Sequence, residues 1–511
     1  MSVDPGSPYV VRPMQPADHG AALDAVWRAF GWGPRRQDAD DIIKDRAVEP
    51  DRTLVAVDAQ ADGEVVGTTS AYSLRMTMPG GALVRVAGVW MVTVAPTHRR
   101  RGVQTAMMRR QLADLSAAGD ATAALWTTEA PIYQRYGYGL AAWRQRIEVD
   151  LARADFTPRA RVLAAESSAQ LRQMSLPDAL PHLEAVHDSA LGSRTGMLAR
   201  SEHRWHQLMA DTDRPEPETV IAIGADGPSG YAAYRIREGR PALVSTGEVA
   251  VQEVSAKDPA THAQLWRYLL DLDLMSTLSS GNRPLPDPLA HLLLDHRRMH
   301  STVDDALWVR IVDLPRALGQ RAFTGPLDLV LDVTDDVLAA NAGRWHVTVD
   351  AAGDPAVARR TDDEPDLSVD ISDLGAAHLG ATHLNDLALA GRVVEHTPDT
   401  PPPPQMRGRG HPRRAVQRSS NPRGHPVLTR LSPTRVLNGS LRRGSCVSRP
   451  LNSRFLCHAG ALQLTVTTAP GLDCGSRSPV PRCRSVSGTA RRLLTDRCKP
   501  DCKDELGANR S

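Results

Sequence analysis

The sequence predicts a mixed α/β (α+β) fold followed by a disordered basic tail, and three observations carry that expectation. Strand-like alternation and helical spacing interleave through residues 1–400. All six cysteines fall in residues 401–511, where 21 Lys and Arg stand against 5 Asp and Glu, a balance of +16. Residues 1–400 hold 40 basic and 54 acidic side chains and all the aromatic residues except Phe455.

The elements follow in order. "YVVRPMQ" alternates as a strand, and "AALDAVWRAFG" then places Leu23, Val26, Trp27 and Phe30 on one helical face. The stretch from Thr53 to Pro96 reads as successive strands with turns at Asp62-Gly63 and Gly80-Gly81. Next comes "RRRGVQTAMMRR" (99–110), which opens a helix with Met108, Leu112 and Leu115 at i, i+4 and i+7 and with Gly119 as its C-terminal cap. "ATAALWTTE" is a further strand, and "APIYQRYGYGLAAWRQRIEVDL" is punctuated by glycine and aromatics before it ends in one. Beyond residue 155 we expect a second α/β unit, with helices near 178–192 and 261–278 and strands at "TVIAIGA" and "GYAAYRIRE". "DALWVRIVDLPRAL" bridges to a third unit with strands "LDLVLDV" and "RWHVTVDA", then "DLSVDISDLGAAHLG" and a helical "THLNDLALAGRVVE".

Composition bounds the function classes. A cysteine-free, acidic body is expected of a cytoplasmic globular protein, and no stretch approaches the roughly 18 apolar residues of a membrane span. The first twenty residues lack the charged-then-apolar order of a signal peptide. The tail, rich in Arg, Ser and Pro, cannot bury enough apolar area to offset its ordering entropy. Its Cys498 and Cys502 lack a second ligand pair for zinc, so no metal is expected, and its internal "KDEL" is no terminal signal.

The arginine run admits three readings. After a strand and before a helix, unpaired N–H groups, the positive end of the helix dipole and a glycine can cradle a pyrophosphate, with arginines adding charge-assisted contacts. A solvated helix face and a nucleic-acid patch are the alternatives, the last set against an acidic body.

Here the sequence resembles a family. "VWMVTVAPTHRRRGVQTAMM" is similar to the coenzyme A signature of the GCN5-related N-acetyltransferases (GNAT). With "IYQRYGYG" it resembles, more narrowly, the enhanced intracellular survival (Eis) family, and the likeness extends through "DALWVRIVDLPRAL" and "AGRVVEHTP", over about residues 8–398. Gln104 departs from the general signature, as the Eis family also does. The resemblance implies a GNAT acetyltransferase domain (1–152), a second, degenerate GNAT-like domain (153–304) and a sterol-carrier-like domain (305–400), before the tail at 401–511. It implies a homo-hexamer that moves acetyl from acetyl-CoA to amines of the aminoglycoside, polyamine or lysine type.

The same resemblance assigns roles. The backbones of Val92 and Val94 would hold the pantetheine arm, while Arg99, Arg100, Gly102 and the Val103 amide would hold the pyrophosphate. Thr128 would contact the cofactor region. Tyr133 would protonate the departing thiolate, a task suited to a phenol beside the sulfur. Core packing is the competing reading of Tyr133, and it is the expectation for Tyr136 and Tyr138. Gly137 and Gly139 are expected to serve a tight turn, and His98 a cap or surface position.

The family pattern breaks after Pro398 together with charge, cysteine and aromatic content. We read the break as a shift of reading frame near codons 399–404. The resemblance places a chain-terminal carboxylate in the active site as a base, so a chain without it is expected to bind acetyl-CoA and acetylate poorly. The alternative function is a non-catalytic protein that contacts nucleic acid or anionic lipid through the +16 tail. A lipid carrier built on residues 305–398 is a third reading.

Overall fold

A computed structural model describes residues 8–31, 43, 48–209, 215–239 and 246–396, and the tail readings lie outside them. Six strands come first: β1 (Tyr9–Pro13), β2 (Thr53–Asp58), β3 (Glu64–Thr77), β4 (Leu83–Val94), β5 (Thr122–Leu125) and β6 (Tyr138–Leu140). Next run β7 (Trp143–Asp150), β8 (Gln170–Met174), β9 (Glu218–Gly224), β10 (Gly227–Arg237), β11 (Gly247–Ala256), β12 (Met275–Pro284) and β13 (Met299–Asp305). The last are β14 (Trp308–Ile311), β15 (Leu327–Thr334), β16 (Gly343–Val349), β17 (Val357–Arg360), β18 (Leu367–Asp370) and β19 (Val393–Glu395). They form three sheets: β1-β2-β3-β4-β5-β14-β6, β13-β7-β12-β11-β10-β9-β8 and β17-β16-β15-β18-β19. The described residues are thus mixed α/β, with two seven-stranded sheets and a five-stranded third.

The two large sheets exchange strands. β7 leaves the first sheet's hairpin region and pairs antiparallel with both β12 and β13 of the second. β14 returns and slots between β5 and β6, with Trp308 opposite Leu125 on one side and Leu140 on the other. In β7 the residues Gln145, Ile147 and Val149 are buried while Arg146 and Glu148 are exposed, the period-two pattern of a strand with one solvated face.

Helices cover the sheets through their apolar faces. The His19–Phe30 helix buries Leu23 and Val26, but Phe30, its last residue, is 42% exposed, because the chain turns away at Gly31 in a left-handed cap. The Val103–Ala117 helix buries Met108, Leu112 and Leu115 and ends before Gly119, which has φ +76 as the cap reading expects. Two expected helices are shorter than the spacing predicts. The 261–278 segment is helical only to Leu270, since a turn with Leu274 at φ 67 redirects the chain into β12. "THLNDLALAGRVVE" divides at Gly391, φ +72, into the Leu384–Leu389 helix and β19.

The third domain is fastened to the first sheet. The Ile371–Ala377 helix lies on β6 and β14, and a Cβ on Gly139 of β6 would overlap the Ser372 carbonyl oxygen and the Ala376 nitrogen. Gly375 meets the Val309 carbonyl in the same way. Gly137 does carry a turn, at φ +79. Gly139 instead serves this close approach of helix to strand.

Candidate active site

The first sheet opens at its centre. β4 and β5 pair in parallel only at Ala87–Ala123 and Gly88–Ala124. From Val89 to Val94, the β5-facing edge of β4 has no strand partner among the described residues. A bulge accompanies the opening: Thr68 pairs with Thr93 and Ser70 with Trp90, so Met91 and Val92 stand against Thr69 alone. Met91 sits at φ 53, a backbone conformation that a non-glycine residue holds only when its surroundings enforce it. Buried Thr68 supplies part of that enforcement. Its hydroxyl donates to the Met91 carbonyl at 2.6 Å, which leaves its oxygen to accept from the Thr93 hydroxyl at 2.9 Å.

β4 then runs through a short turn, Pro96–His98, to the arginines. Gly102 is the N-cap of the Val103–Ala117 helix at φ +82, no side chain caps that helix, and a Cβ on Gly102 would meet nothing within 4 Å. Arg100 also takes a positive φ, 62. Arg99, Arg100 and Arg101 are exposed, and no carboxylate among the described residues pairs with them. Val103 and Met107 are buried against Tyr9, Ala56 and Val66, which fixes the helix start. The result is a set of unpaired amides, a helix N-terminus and free guanidinium groups around an open glycine, a physical match for an anion. His98 is half-buried and reaches Asp58 at 3.3 Å, tying the turn to the end of β2.

The gap's other wall begins at β5. Thr128 lies exposed on the loop that leaves it, and Tyr133 is on the Ala130–Gln134 helix that follows. The Tyr133 ring meets that of Tyr138 edge to face, centroids 5.8 Å apart. Burial pushes the Tyr133 phenol up to about 12, with Tyr136 and Glu129 adding to the shift. Tyr136 is buried, and its hydroxyl lies 3.2 Å from Thr105 Oγ1 on the helix that starts at Gly102. Tyr138 is fully buried, its hydroxyl has no hydrogen-bond partner, and burial raises its pKa as well. So Val92 and Val94 lie on the part of β4 beyond its pairing with β5, Arg99, Arg100, Gly102 and Val103 on the turn and helix start that follow β4, and Thr128 and Tyr133 on the loop and short helix that follow β5.

Sequence reasoning did not find Thr68, Met91 or the stacked pair Tyr72–Trp90, whose ring centroids are 4.5 Å apart beside the bulge. Nothing in the residue types marks a bulge at "VWMVTV", where no Gly or Pro interrupts the strand.

The second sheet repeats the layout without the cradle. β11 pairs with parallel β12 only as far as Ala250, and Gln252 is the extra residue of a bulge opposite β10. Only Lys257 and Asp258 then separate β11 from the Pro259–Leu270 helix, and Asp258 caps it, accepting from the Thr261 amide at 2.8 Å and hydroxyl at 2.7 Å. A carboxylate already occupies the place an anion would take.

No group of three or more His, Cys, Asp or Glu among the described residues could hold a metal ion. No described helix is long and apolar enough to cross a membrane.

Comparison with known proteins agrees with this geometry. Residues 10–141 and 196–311 each match an acetyltransferase (GNAT) domain model, and residues 314–400 match a sterol carrier protein domain. An uncharacterized N-acetyltransferase of Streptomyces avermitilis is 39% identical over 394 residues, which cover 76% of this chain and 94% of the relative. The N-acetyltransferase Eis of Mycobacterium tuberculosis is 33% identical over 355 residues, 68% of this chain and 84% of Eis. The crystal structure of Eis1 from Mycobacterium abscessus superposes with a TM-score of 0.66 at 32% identity, covering 76% of this chain and 94% of that one. Two GNAT units, a sterol-carrier unit and these relatives together place the chain in the Eis-like family of GCN5-related N-acetyltransferases.

Proposed function

We propose that the first GNAT unit transfers acetyl from acetyl-CoA to a primary amine of the aminoglycoside, polyamine or lysine type. The observation that carries this reading is the opening between β4 and β5, followed along the chain by an uncapped helix at Gly102 and a half-buried phenol at Tyr133, with a strained bulge at Met91. An extended thioester cofactor needs such a slot: strand-edge backbone for its amide arm, and a cationic helix start for its pyrophosphate. Val92 and Val94 offer the first; Arg99, Arg100, Gly102 and Val103 offer the second. Thr128, exposed on the loop after β5, would contact the cofactor region.

Acetyl-CoA supplies an acetyl thioester whose sulfur departs as a thiolate. As the amine nitrogen bonds to the acetyl carbon and the C–S bond breaks, Tyr133 gives its hydroxyl proton to the departing sulfur, and the proton the amine loses to solvent is balanced by one that returns to the phenol. Burial raises its pKa, so at neutral pH it carries the hydroxyl proton that a donor needs. Tyr138, packed edge-on and fully buried, holds the Tyr133 ring and keeps water from its inner side. The bulge spends backbone strain on opening the sheet, and the Thr68–Thr93 pair stabilises it.

The same reading, on the family resemblance, assigns the protein to the cytoplasm and to a homo-hexamer. Thiol release from acetyl-CoA, followed with a panel of aminoglycosides, polyamines and lysine peptides, tests the activity. Turnover that depends on an amine supports it; absence of turnover with every amine class refutes it.

A further inference from the structure

Arg310 lies in the middle of β14, between Val309 and Ile311, and it is fully buried. Its Nη2 donates to both oxygens of Asp335 at 2.8 Å, and its Nη1 donates to the Ile311 carbonyl at 2.9 Å. Asp335 belongs to the third domain, just after β15, and has almost no exposed side chain. Its carboxylate also accepts from the Val337 amide at 3.0 Å, the Leu338 amide at 2.9 Å and the Asn341 side chain at 3.0 Å. Asn341 in turn bonds back to the Val312 carbonyl at 3.2 Å.

The far side of this pair is the tyrosine hairpin. Arg310 stands opposite Tyr138 in the β14–β6 ladder. A Cβ on Gly137 would lie 2.8 Å from the Arg310 guanidinium and 2.8 Å from Ile371 of the third domain. Val337 and Leu338, held by Asp335, pack against the same core that Ile132, Tyr133 and Leu140 join. So the turn between Tyr136 and Tyr138 rests on a guanidinium, that guanidinium rests on a third-domain carboxylate, and third-domain side chains close the core beside Tyr133.

We infer that the third domain sets the position of Tyr133, with Arg310 as the positioning residue that transmits it through the Gly137 turn. This rests on Tyr133 being the proton donor. Arg310 lies opposite Tyr138 and against the Gly137 turn, so it acts on Tyr133 by position rather than by contact with the reacting atoms. The geometry matters as well as the charge: one planar group reaches both Asp335 oxygens through Nη2 and the Ile311 carbonyl through Nη1 while packing against Gly137. A lysine keeps the charge and loses that span.

The test is a double-mutant cycle on the full chain, read by thiol release and by thermal melting. Arg310→Lys is expected to lower kcat about tenfold with KM for acetyl-CoA held within about twofold. In a Tyr133→Phe background the same substitution is expected to change kcat by less than about twofold, because the group it positions is gone. Should Arg310→Lys fail to fold, Asp335→Asn carries the same cycle, since it keeps acceptors for the Val337 and Leu338 amides. Equal losses from Arg310→Lys or Asp335→Asn in both backgrounds, or a loss confined to KM, overturn the inference while leaving Tyr133 its role. A Tyr133→Phe protein that retains full kcat removes the proton donor, and the inference falls with it.

Discussion

The backbone of Gly139 lies against the Ser372 carbonyl so closely that a Cβ on Gly139 would overlap that oxygen. No flexible side chain is there to yield: Ser372 and Ala376 meet it with backbone atoms of the Ile371–Ala377 helix. Gly139→Ala is therefore expected to cost about 3 kcal/mol or more, at the upper end of overpacking effects. Gly391→Ala is the control, with φ +72 and nothing within 4 Å of the added carbon, and it is expected to cost about 1–2 kcal/mol. Chemical denaturation of both variants checks the order. Equal costs would mean that the third domain yields at this contact.

Gly102→Ala separates binding from chemistry. The added methyl meets open space, but φ +82 is strained for alanine, so the uncapped helix start should shift. We expect KM for acetyl-CoA to rise about three- to tenfold with kcat within about twofold, measured by steady-state thiol release. A fall in kcat with KM unchanged would contradict a purely binding role for this turn.

The strand exchange predicts how the chain can be cut. A fragment of residues 1–152 contains β5 and β6 but not β14, which joins them, and it carries β7 without either of its partners. Two strand edges and an apolar strand face are left open, the condition for aggregation. The fragment is expected to be insoluble or unfolded by circular dichroism. A monomeric, cooperatively melting fragment would contradict the pairing of β14 with β5.

His378 predicts acid sensitivity. It is fully buried beside Arg321, neither ring nitrogen has a hydrogen-bond partner, and burial followed by the Arg321 charge lowers its pKa to about 3. The unfolded chain, with histidine near 6.5, takes up the proton first. Stability from the neutral ring is thus fully present above about pH 6.5 and is lost as pH falls toward 3. His262, lowered to about 4 by burial and Arg283, acts in the same direction. Melting temperatures between pH 7.5 and 4.5 should fall less steeply in His378→Leu than in the parent protein. Identical slopes would place the acid sensitivity elsewhere.

Much of this was legible in the sequence, and the parts that were not share a cause. The strand–Arg–Gly–helix order marked the Gly102 turn through its local chemistry, whereas Tyr133 was singled out by the family resemblance of "IYQRYGYG". The exchange of β7 and β14 was not legible, since alternation tells that "WRQRIEVD" is a strand but not which sheet receives it. Gly139 read as a turn residue, whereas its role depends on a helix more than 230 residues further along the chain. Met91 carries no sign of its positive φ, because the enforcing group, Thr68, lies on another strand. Arg310 did leave a signal: a lone arginine in the apolar run "LWVRIV" calls for a buried carboxylate, and Asp335 supplies it.

The claim on which the rest depends is that Tyr133 protonates the departing thiolate. Tyr133→Phe keeps the ring and its edge contact with Tyr138 and removes only the hydroxyl. The most direct measurement is kcat for thiol release from acetyl-CoA with a saturating amine, compared between the parent protein and this variant. We expect a loss of about 10²–10⁴ with KM for acetyl-CoA nearly unchanged and an unaltered melting temperature. A variant that turns over within about threefold of the parent would show that the proton comes from another group.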